Sequence, residues 1–133
     1  MTIHRGDHMP RQNIAIIGLG RIGSEFLSEM LGKTGRGINL ACVSEVNDTP
    51  GKERAHQANL KIVTLDEIVA MGSRIDIIFD LTGIQEVRTE LRTKLAASNN
   101  HHTIIASETI ARLIWALIAD HELPTITGRK MGY

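Results

Sequence analysis

Short apolar runs alternate with polar segments along the chain, and this alternation predicts strands separated by helices. Residues 14–17 form a run that is too brief and too β-branched for a helix. Residues 75–81 are near-continuously apolar, which is typical of a parallel strand covered on both faces. We expect five strands, at residues 14–17, 38–44, 60–64, 75–81 and 103–106.

Apolar residues at helical spacing and capping signals predict the segments that connect the strands. Thr64 followed by Glu67 has the pattern of a capping box, which marks a helix start. In residues 84–97 one apolar stripe alternates with charged residues, Arg88 among them, so we expect a surface helix there. The helices are expected at residues 22–31, 53–59, 65–72, 84–97 and 108–119, with a turn-rich loop at 46–52.

Strands and helices in this order predict an α/β fold. Because crossovers between parallel strands are right-handed, the favoured architecture is a doubly wound parallel sheet with helices on both faces. We expect the strand order 3-2-1-4-5, with the strands numbered along the chain. The domain is predicted at residues 13–119, preceded by a flexible lead-in at 1–12 and followed by an extended tail at 120–133.

The predicted helix at 108–119 is apolar nearly all round, and from residue 110 to residue 119 Arg112 is its one clearly polar residue. A helix of this kind needs cover on more than one side. One side can pack on the sheet. We therefore expect a homodimer, or a partner domain, to cover the other side.

The composition is that of an ordinary globular domain. Of the 133 residues, 42% are hydrophobic and 23% charged, and 15 Lys and Arg balance 15 Asp and Glu. This balance gives no argument for nucleic acid as a partner. No apolar run approaches the roughly 20 residues that cross a membrane. The first residues lack a signal-peptide pattern, so we expect a soluble cytoplasmic protein.

Few residues suggest metal or thiol chemistry. Cys42 is the single cysteine and lies in an apolar run, which predicts a small buried residue with no internal disulfide. His101 and His102 are adjacent, so their side chains point to opposite sides of an extended chain and make a poor chelating pair. We expect no metal site.

Three glycines between the first strand and the first helix carry the clearest functional signal. Gly18, Gly20 and Gly23 have the G-x-G-x-x-G spacing, in the strand–turn–helix context that dinucleotide binding requires. In that motif the first glycine permits a tight turn, the second lets a pyrophosphate approach the backbone, and the third lets helix and strand pack closely. The N–H groups near Arg21 and Ile22 then hold the phosphates. The alternative is a glycine turn that only connects two elements.

An acidic residue follows the second strand at the distance expected for ribose recognition. Glu45 lies about 20 residues beyond Gly23, where a carboxylate accepts hydrogen bonds from the adenosine ribose of a dinucleotide. A carboxylate there repels a 2′-phosphate, so the sequence favours NAD over NADP as cofactor. Asp48 is the rival position if the strand runs longer, and an ordinary solvated acidic residue is the alternative.

Thr82 and Gly83 end the strand at 75–81. They lie at the sheet edge where ligands of open α/β sheets bind, so we expect them to flank the cofactor. Backbone N–H groups and the Thr82 hydroxyl are the candidate contacts. A plain strand-to-helix turn is the alternative.

Three features together resemble the NAD(P)-binding domain of several dehydrogenase families. They are Ile-Gly-Leu-Gly-Arg-Ile-Gly at 17–23, the acidic end of the second strand, and Ile-Phe-Asp-Leu-Thr-Gly at 78–83. The families are the glucose–fructose oxidoreductase and inositol dehydrogenase type, the homoserine and aspartate dehydrogenases, and dihydrodipicolinate reductase. The Asp80-x-Thr82 ending is most similar to the last of these. The resemblance implies a Rossmann-type cofactor domain.

The resemblance assigns no chemistry to particular residues. Sugar oxidoreductases of this type carry Glu-Lys-Pro after the fifth strand, whereas this chain has Ser107-Glu108-Thr109 and lacks that lysine. The resembling enzymes also continue into a substrate-binding domain that is not recognisable here. The catalytic residues therefore remain unknown. We expect either the cofactor half of an NAD-dependent oxidoreductase or a nucleotide- or redox-sensing regulatory module that acts as a dimer or with a partner domain.

Overall fold

The computed structural model describes residues 11–121 and 123, which form a parallel sheet with helices packed on both faces. The strands are β1 (Gln12–Ile17), β2 (Ile38–Ser44), β3 (Ile77–Asp80) and β4 (Ile104–Ala106). The helices are α1 (Arg21–Leu31), α2 (Pro50–Gln57), α3 (Leu65–Ala70), α4 (Gln85–Ala97) and α5 (Glu108–Ile118). The predicted α/β fold is confirmed. The lead-in predicted at 1–12 and the tail predicted at 120–133 involve residues 1–10, 122 and 124–133, which lie outside the described part of the chain.

The four strands of the described residues are all parallel and lie in the order β2-β1-β3-β4. The strand predicted at 60–64 is wrong, since this segment contributes a single parallel bridge between Ile62 and Val43, on the outer side of β2. Asn59 has a left-handed conformation (φ 59°) before the segment, and Thr64 caps a helix at its end. Little extended chain remains for pairing. The predicted order 3-2-1-4-5 therefore becomes four strands, with this bridge in the place of the third.

The register brings three strand ends together. Ile17, the last residue of β1, pairs with Ser44 at the end of β2 and with Asp80 at the end of β3. The loops that follow these strands therefore start side by side at one edge of the sheet. Ligands of open α/β folds bind at this edge.

Alternate residues of β1 enter separate cores on the two faces of the sheet. One core includes Ile14, Ile16, Phe26 of α1 and Trp115 of α5, and the other includes Ala15, Ile17, Ile68 of α3 and Leu91 of α4. The sheet is therefore doubly wound, as predicted. Cys42 lies in the second core at 0% exposure, and burial raises the pKa of its thiol to about 11. The prediction of a buried cysteine is confirmed.

Capping residues set the starts of two helices. Thr64 Oγ1 accepts a hydrogen bond from the Glu67 N–H at 3.1 Å, and the Glu67 carboxylate accepts one from the Thr64 N–H at 2.9 Å. The predicted capping box of α3 is confirmed. Helix α2 begins at Pro50, earlier than predicted, because Thr49 caps it and proline fits the first helical turn. The loop predicted at 46–52 is correspondingly shorter.

Helix α4 buries a charge that the sequence analysis assigned to solvent. Arg88 is 5% exposed and shares the buried side of the helix with Leu91 and Leu95, whereas Ile84 is 49% exposed. Of the predicted apolar stripe, Val87, Leu91 and Leu95 pack in the core as expected, and only Ile84 is wrong. The physical reason for the burial of Arg88 is Asp80, a buried carboxylate at the end of β3, which Arg88 faces as its counter-charge.

Helix α5 packs one side against β3 and β4, with Ala111 and Trp115 buried. Its other side exposes large apolar residues. They are Ile110, Leu113 and Leu117, and Ile104 of β4 is exposed as well. The partner predicted for this side stays a prediction. No helix among the described residues is long and apolar enough to cross a membrane.

Candidate functional site

A cleft of about 670 Å³ opens where the loops after β1, β2 and β3 meet. Its walls are the glycine turn, the loop after β2, the segment that leads into α3 and the turn after β3. The volume falls within the range of about 300–1,000 Å³ that small-molecule sites occupy. Four of the predicted site residues line it, namely Gly18, Gly20, Glu45 and Thr82. Arg21, Ile22, Gly23 and Gly83 are their chain neighbours.

The three glycines of the turn meet different surroundings. Gly18 has a φ of 94°, and a Cβ there would lie 2.8 Å from the Thr82 nitrogen. A Cβ on Gly23 would lie 1.8 Å from the Gly18 carbonyl oxygen, so α1 packs directly on the turn. A Cβ on Gly20 would meet no described atom within 4 Å. Two glycines therefore permit close packing, while Gly20 leaves open space beside the backbone.

Helix α1 starts at this turn without a side-chain cap among the described residues. Gly20 is its N-cap and no acidic residue lies in its first turn, whereas Thr49 and Thr64 cap α2 and α3. The N–H groups at the start of α1, with the positive end of the helix dipole, are therefore available to an anion. Arg21 is exposed, and Ile22 anchors the turn in the core at 1% exposure.

The carboxylate of Glu45 joins two loops at the cleft. Its Oε1 accepts a hydrogen bond from the Leu19 N–H at 2.6 Å, and its Oε2 accepts one from the Asn47 N–H at 3.0 Å. Asp48 does not line the cleft; its side chain is fully exposed and lies 3.9 Å from Lys52. Of the two acidic candidates, Glu45 is the one that the fold brings to the glycine turn.

The turn after β3 is fixed by Asp80, a carboxylate with 0% exposure. Its Oδ1 accepts hydrogen bonds from the Thr82 N–H at 3.1 Å and from the Thr82 hydroxyl at 2.7 Å. Arg88 Nε donates to Oδ2 at 3.2 Å. Gly83 then adopts a φ of 69°, a left-handed conformation that favours glycine. Thr82 is therefore held in the cleft wall, and Gly83 shapes the turn beside it.

Sequence reasoning missed several residues at this site. Val46 and Ile84 line the cleft with exposed apolar side chains, at 89% and 49% exposure. Position in a loop gives no periodicity from which their role could be predicted. The pair of Asp80 and Arg88 could have been predicted from the sequence. Asp80 ends an apolar strand, and a buried charge at such a position requires a partner of opposite charge.

The two carboxylates that line the cleft, Glu45 and Glu67, both accept hydrogen bonds from backbone N–H groups of the loops around it. Glu108, at the start of α5, is 1% exposed and lies 3.4 Å from Arg112, outside the cleft lining. No group of three or more His, Cys, Asp or Glu in residues 11–121 and 123 is placed to hold a metal ion. We assign a catalytic role to none of these side chains.

Several solved structures share this fold. Homoserine dehydrogenase from S. aureus matches 85% of the chain with a TM-score of 0.54 and 18% identity, over 31% of its own length. A putative NADP oxidoreductase from Bacteroides fragilis matches 91% with a TM-score of 0.56 and 16% identity, over 47% of its length. An isoflavone reductase matches 74% with a TM-score of 0.53 and 15% identity, over 36% of its length. No protein-family model matches the chain, and no curated protein does.

These likenesses define the class of fold. The described part of the chain has a Rossmann-like α/β fold, and the predicted resemblance is confirmed at the level of the fold. The chain spans about a third to a half of the length of these solved proteins.

Proposed function

We propose that this chain is the nicotinamide-dinucleotide-binding part of an oxidoreductase, with NAD preferred over NADP. The observation that carries the proposal is the convergence of two features in one cleft. The uncapped start of α1, at Gly20, lies beside the carboxylate of Glu45. Solved neighbours described as a dehydrogenase and as an NADP oxidoreductase support the same class of ligand.

The start of α1 is suited to a pyrophosphate. The backbone N–H groups at Arg21 and Ile22 and the helix dipole favour an anion, and the exposed Arg21 adds positive charge nearby. Gly20 has open space where a side chain would stand, so phosphate oxygens can reach the backbone. This geometry fits the role that the glycine spacing predicts for each position.

Glu45 is suited to the adenosine ribose. Each of its oxygens already accepts one N–H, and a carboxylate oxygen can accept two hydrogen bonds. Both oxygens therefore keep a position for a ribose hydroxyl without releasing the glycine turn. A 2′-phosphate would bring negative charge beside this carboxylate, which supports NAD over NADP.

The adenine ring has an apolar surface available in the same cleft. Val46 after β2 and Ile84 before α4 both line it with exposed side chains, and burying them against a flat ring removes apolar surface from water. When bound, the cofactor supplies the hydride chemistry, and the described residues bind and orient it.

Calorimetric titration with NAD, NADH, NADP and NADPH tests the proposal. We expect dissociation constants of the order of micromolar, with NAD and NADH preferred. Glu45→Ala should weaken NAD binding about tenfold or more, equivalent to about 1.4 kcal/mol, and narrow the preference over NADP. Asp48→Ala, a nearby exposed carboxylate, is the matched control and should change neither quantity.

Two results would contradict the proposal at different levels. If none of the four dinucleotides binds, the proposed dinucleotide-binding function is wrong. Binding that is unchanged in Glu45→Ala, or equally weakened in Asp48→Ala, removes the assignment of the ribose to Glu45 and leaves the function standing. Urea denaturation of each variant separates loss of binding from loss of fold.

A second candidate is a regulatory module in which a dimer senses a nucleotide. The observation that favours it is the exposed apolar side of α5, with Leu113 at 59% and Leu117 at 77% exposure. The two candidates share the ligand and differ in turnover and in assembly. Binding without any hydride transfer to added carbonyl substrates, together with a dimer in light scattering, would favour the sensing module.

A further inference from the structure

We propose that Thr82 selects for a hydrogen-bond donor on the bound dinucleotide, because Asp80 and Arg88 commit its hydroxyl proton and leave its oxygen able only to accept. The inference rests on the proposed dinucleotide-binding function and deepens it. Thr82 determines specificity, and the Asp80–Arg88 pair positions it.

Asp80 is a buried carboxylate paired with Arg88, and it acts only as a hydrogen-bond acceptor. Its side chain is 0% exposed, so water does not compete for its oxygens. Arg88 Nε lies 3.2 Å from Oδ2 and supplies the compensating charge from a guanidinium that stays protonated in proteins. An ionised carboxylate accepts hydrogen bonds and donates none. The hydrogen bonds between Asp80 and Thr82 therefore all run toward Asp80.

The Thr82 hydroxyl has one proton and two acceptor positions. Its oxygen lies 2.7 Å from Asp80 Oδ1, so the proton is donated there. The Ile84 N–H donates to the same hydroxyl oxygen at 3.1 Å and occupies one acceptor position. One acceptor position remains, on a residue that lines the cleft.

The backbone around Thr82 resists a change of this arrangement. The Thr82 N–H donates to Asp80 Oδ1 at 3.1 Å. Gly18 packs on the Thr82 nitrogen so closely that a Cβ would lie 2.8 Å from it, and Gly83 holds the next residue at a φ of 69°. Rotating the hydroxyl away would break its bonds to both Asp80 and Ile84.

This arrangement limits what a ligand can place against Thr82. An O–H or N–H group completes the hydrogen bonds of the hydroxyl. A phosphate or carboxylate oxygen would instead meet an acceptor with the negative charge of Asp80 behind it. The ribose hydroxyls, the adenine amino group and the nicotinamide amide carry such donors, so one of them is the expected neighbour of Thr82.

Titration with NADH, ADP-ribose and AMP tests the inference. Thr82→Val keeps the shape but removes the hydroxyl, and should weaken NADH binding about threefold to tenfold. Thr82→Ser restores the hydroxyl and should bind within about twofold of the unmodified chain. Thr89→Val, on the exposed side of α4, is the control and should bind unchanged. A loss shared by AMP places the donor in the adenosine half, and a loss confined to NADH places it in the nicotinamide half.

Two further measurements test the positioning pair. In the ligand-free protein, hydrogen exchange at the Ile84 amide should accelerate in Thr82→Val and not in Thr82→Ser, because the Thr82 oxygen is its acceptor. In an Asp80→Ala/Arg88→Gln background the Thr82 hydroxyl loses the Asp80 oxygen that holds its proton, so adding Thr82→Val should cost less affinity than it does in the unmodified chain. If Thr82→Val costs the same affinity in this background as in the unmodified chain, Asp80 and Arg88 do not position Thr82.

The remaining outcomes distinguish a failure of this inference from a failure of the proposed dinucleotide-binding function. If Thr82→Val binds NADH as tightly as the unmodified chain, or if Thr82→Ser binds as weakly as Thr82→Val, the inference is wrong and the dinucleotide function stands. If the unmodified chain binds no dinucleotide, the proposed function fails and the inference fails with it.

Discussion

At the scale of single residues, Asp76 joins three segments at the sheet edge opposite the cleft. Its Oδ2 accepts a hydrogen bond from the Asn13 N–H at 2.7 Å, and its Oδ1 lies 2.6 Å from His102 Nε2. The Asn13 N–H, followed by the hydrogen bond to His102, lowers the pKa of Asp76. The ionised form of Asp76 therefore stabilises the folded chain.

The lowered pKa of Asp76 predicts a pH-dependent contribution to stability. A carboxyl whose pKa is lower in the folded state stabilises the fold above its unfolded pKa of about 3.9, and that stability is lost as the pH falls through the folded value. Asp76→Asn should therefore be less stable than the unmodified chain in urea at pH 7. The difference should shrink as the pH falls below about 4.

The control for Asp76 is Asp48→Asn, a carboxylate that is fully exposed and 3.9 Å from its nearest cation. An exposed ion pair of this kind contributes little, so its variant should match the unmodified chain at both pH values. A constant difference between Asp76→Asn and the unmodified chain from pH 7 to pH 3 would contradict the assignment.

Residue spacing favoured Glu45 over Asp48 as the acidic residue after β2, but it did not predict the hydrogen bond from Glu45 to the glycine turn. Glu45 was placed by its distance along the chain from Gly23. Its hydrogen bond to the Leu19 N–H joins residues that only the parallel pairing of β1 and β2 brings together. Arg88 was wrongly predicted to face solvent for a similar reason. Its partner Asp80 lies in the preceding strand, and helical periodicity gives no information about contacts outside the helix.

At the scale of elements, the turn between β1 and α1 contains one glycine that the fold requires and another that the proposed ligand requires. Gly23 lies where a Cβ would be 1.8 Å from the Gly18 carbonyl oxygen, a backbone atom that cannot move aside. Gly20 has a φ of −77°, which any residue adopts, and a Cβ there meets open space. The fold therefore requires glycine at one position, and the proposed ligand requires it at the other.

Alanine at each position should produce opposite results. Gly23→Ala forces α1 away from the turn and should lower the free energy of unfolding by about 1–3 kcal/mol. Gly20→Ala should leave the free energy of unfolding unchanged, or raise it by about 0.4–1 kcal/mol, because it restricts only the unfolded chain. Its methyl group stands where the pyrophosphate approaches, so NAD affinity should fall about tenfold.

Urea denaturation and NAD titration of both glycine variants check this separation. Gly20→Ala that binds NAD as tightly as the unmodified chain would show that no ligand approaches the backbone at Gly20. Gly23→Ala of unchanged stability would show that α1 can shift without cost. Either result contradicts the role given to that glycine.

At the scale of the whole molecule, the order of the four strands and the two-sided packing were predictable from the chain. Right-handed crossovers favour a doubly wound parallel sheet for alternating strands and helices, and the apolar runs locate the strands. The segment at 60–64 was not predictable, because its pairing depends on how much chain Asn59 and Thr64 leave extended. The cleft was predictable in position, since it follows from where β1, β2 and β3 end. The apolar wall formed by Val46 and Ile84 was not predictable, because loop residues follow no periodic pattern.

The last prediction concerns the exposed apolar side of α5. We expect two copies of the chain to pair through it, since a two-fold dimer lets the same apolar patch cover itself without any charged complement. Leu113→Glu and Leu117→Glu place charge on residues that are 59% and 77% exposed, so each should give a monomer of unchanged fold. Ala96→Glu, exposed on α4, should remain a dimer. Light scattering at high protein concentration measures all four proteins. A monomeric unmodified chain would exclude self-association and leave a partner domain to cover α5.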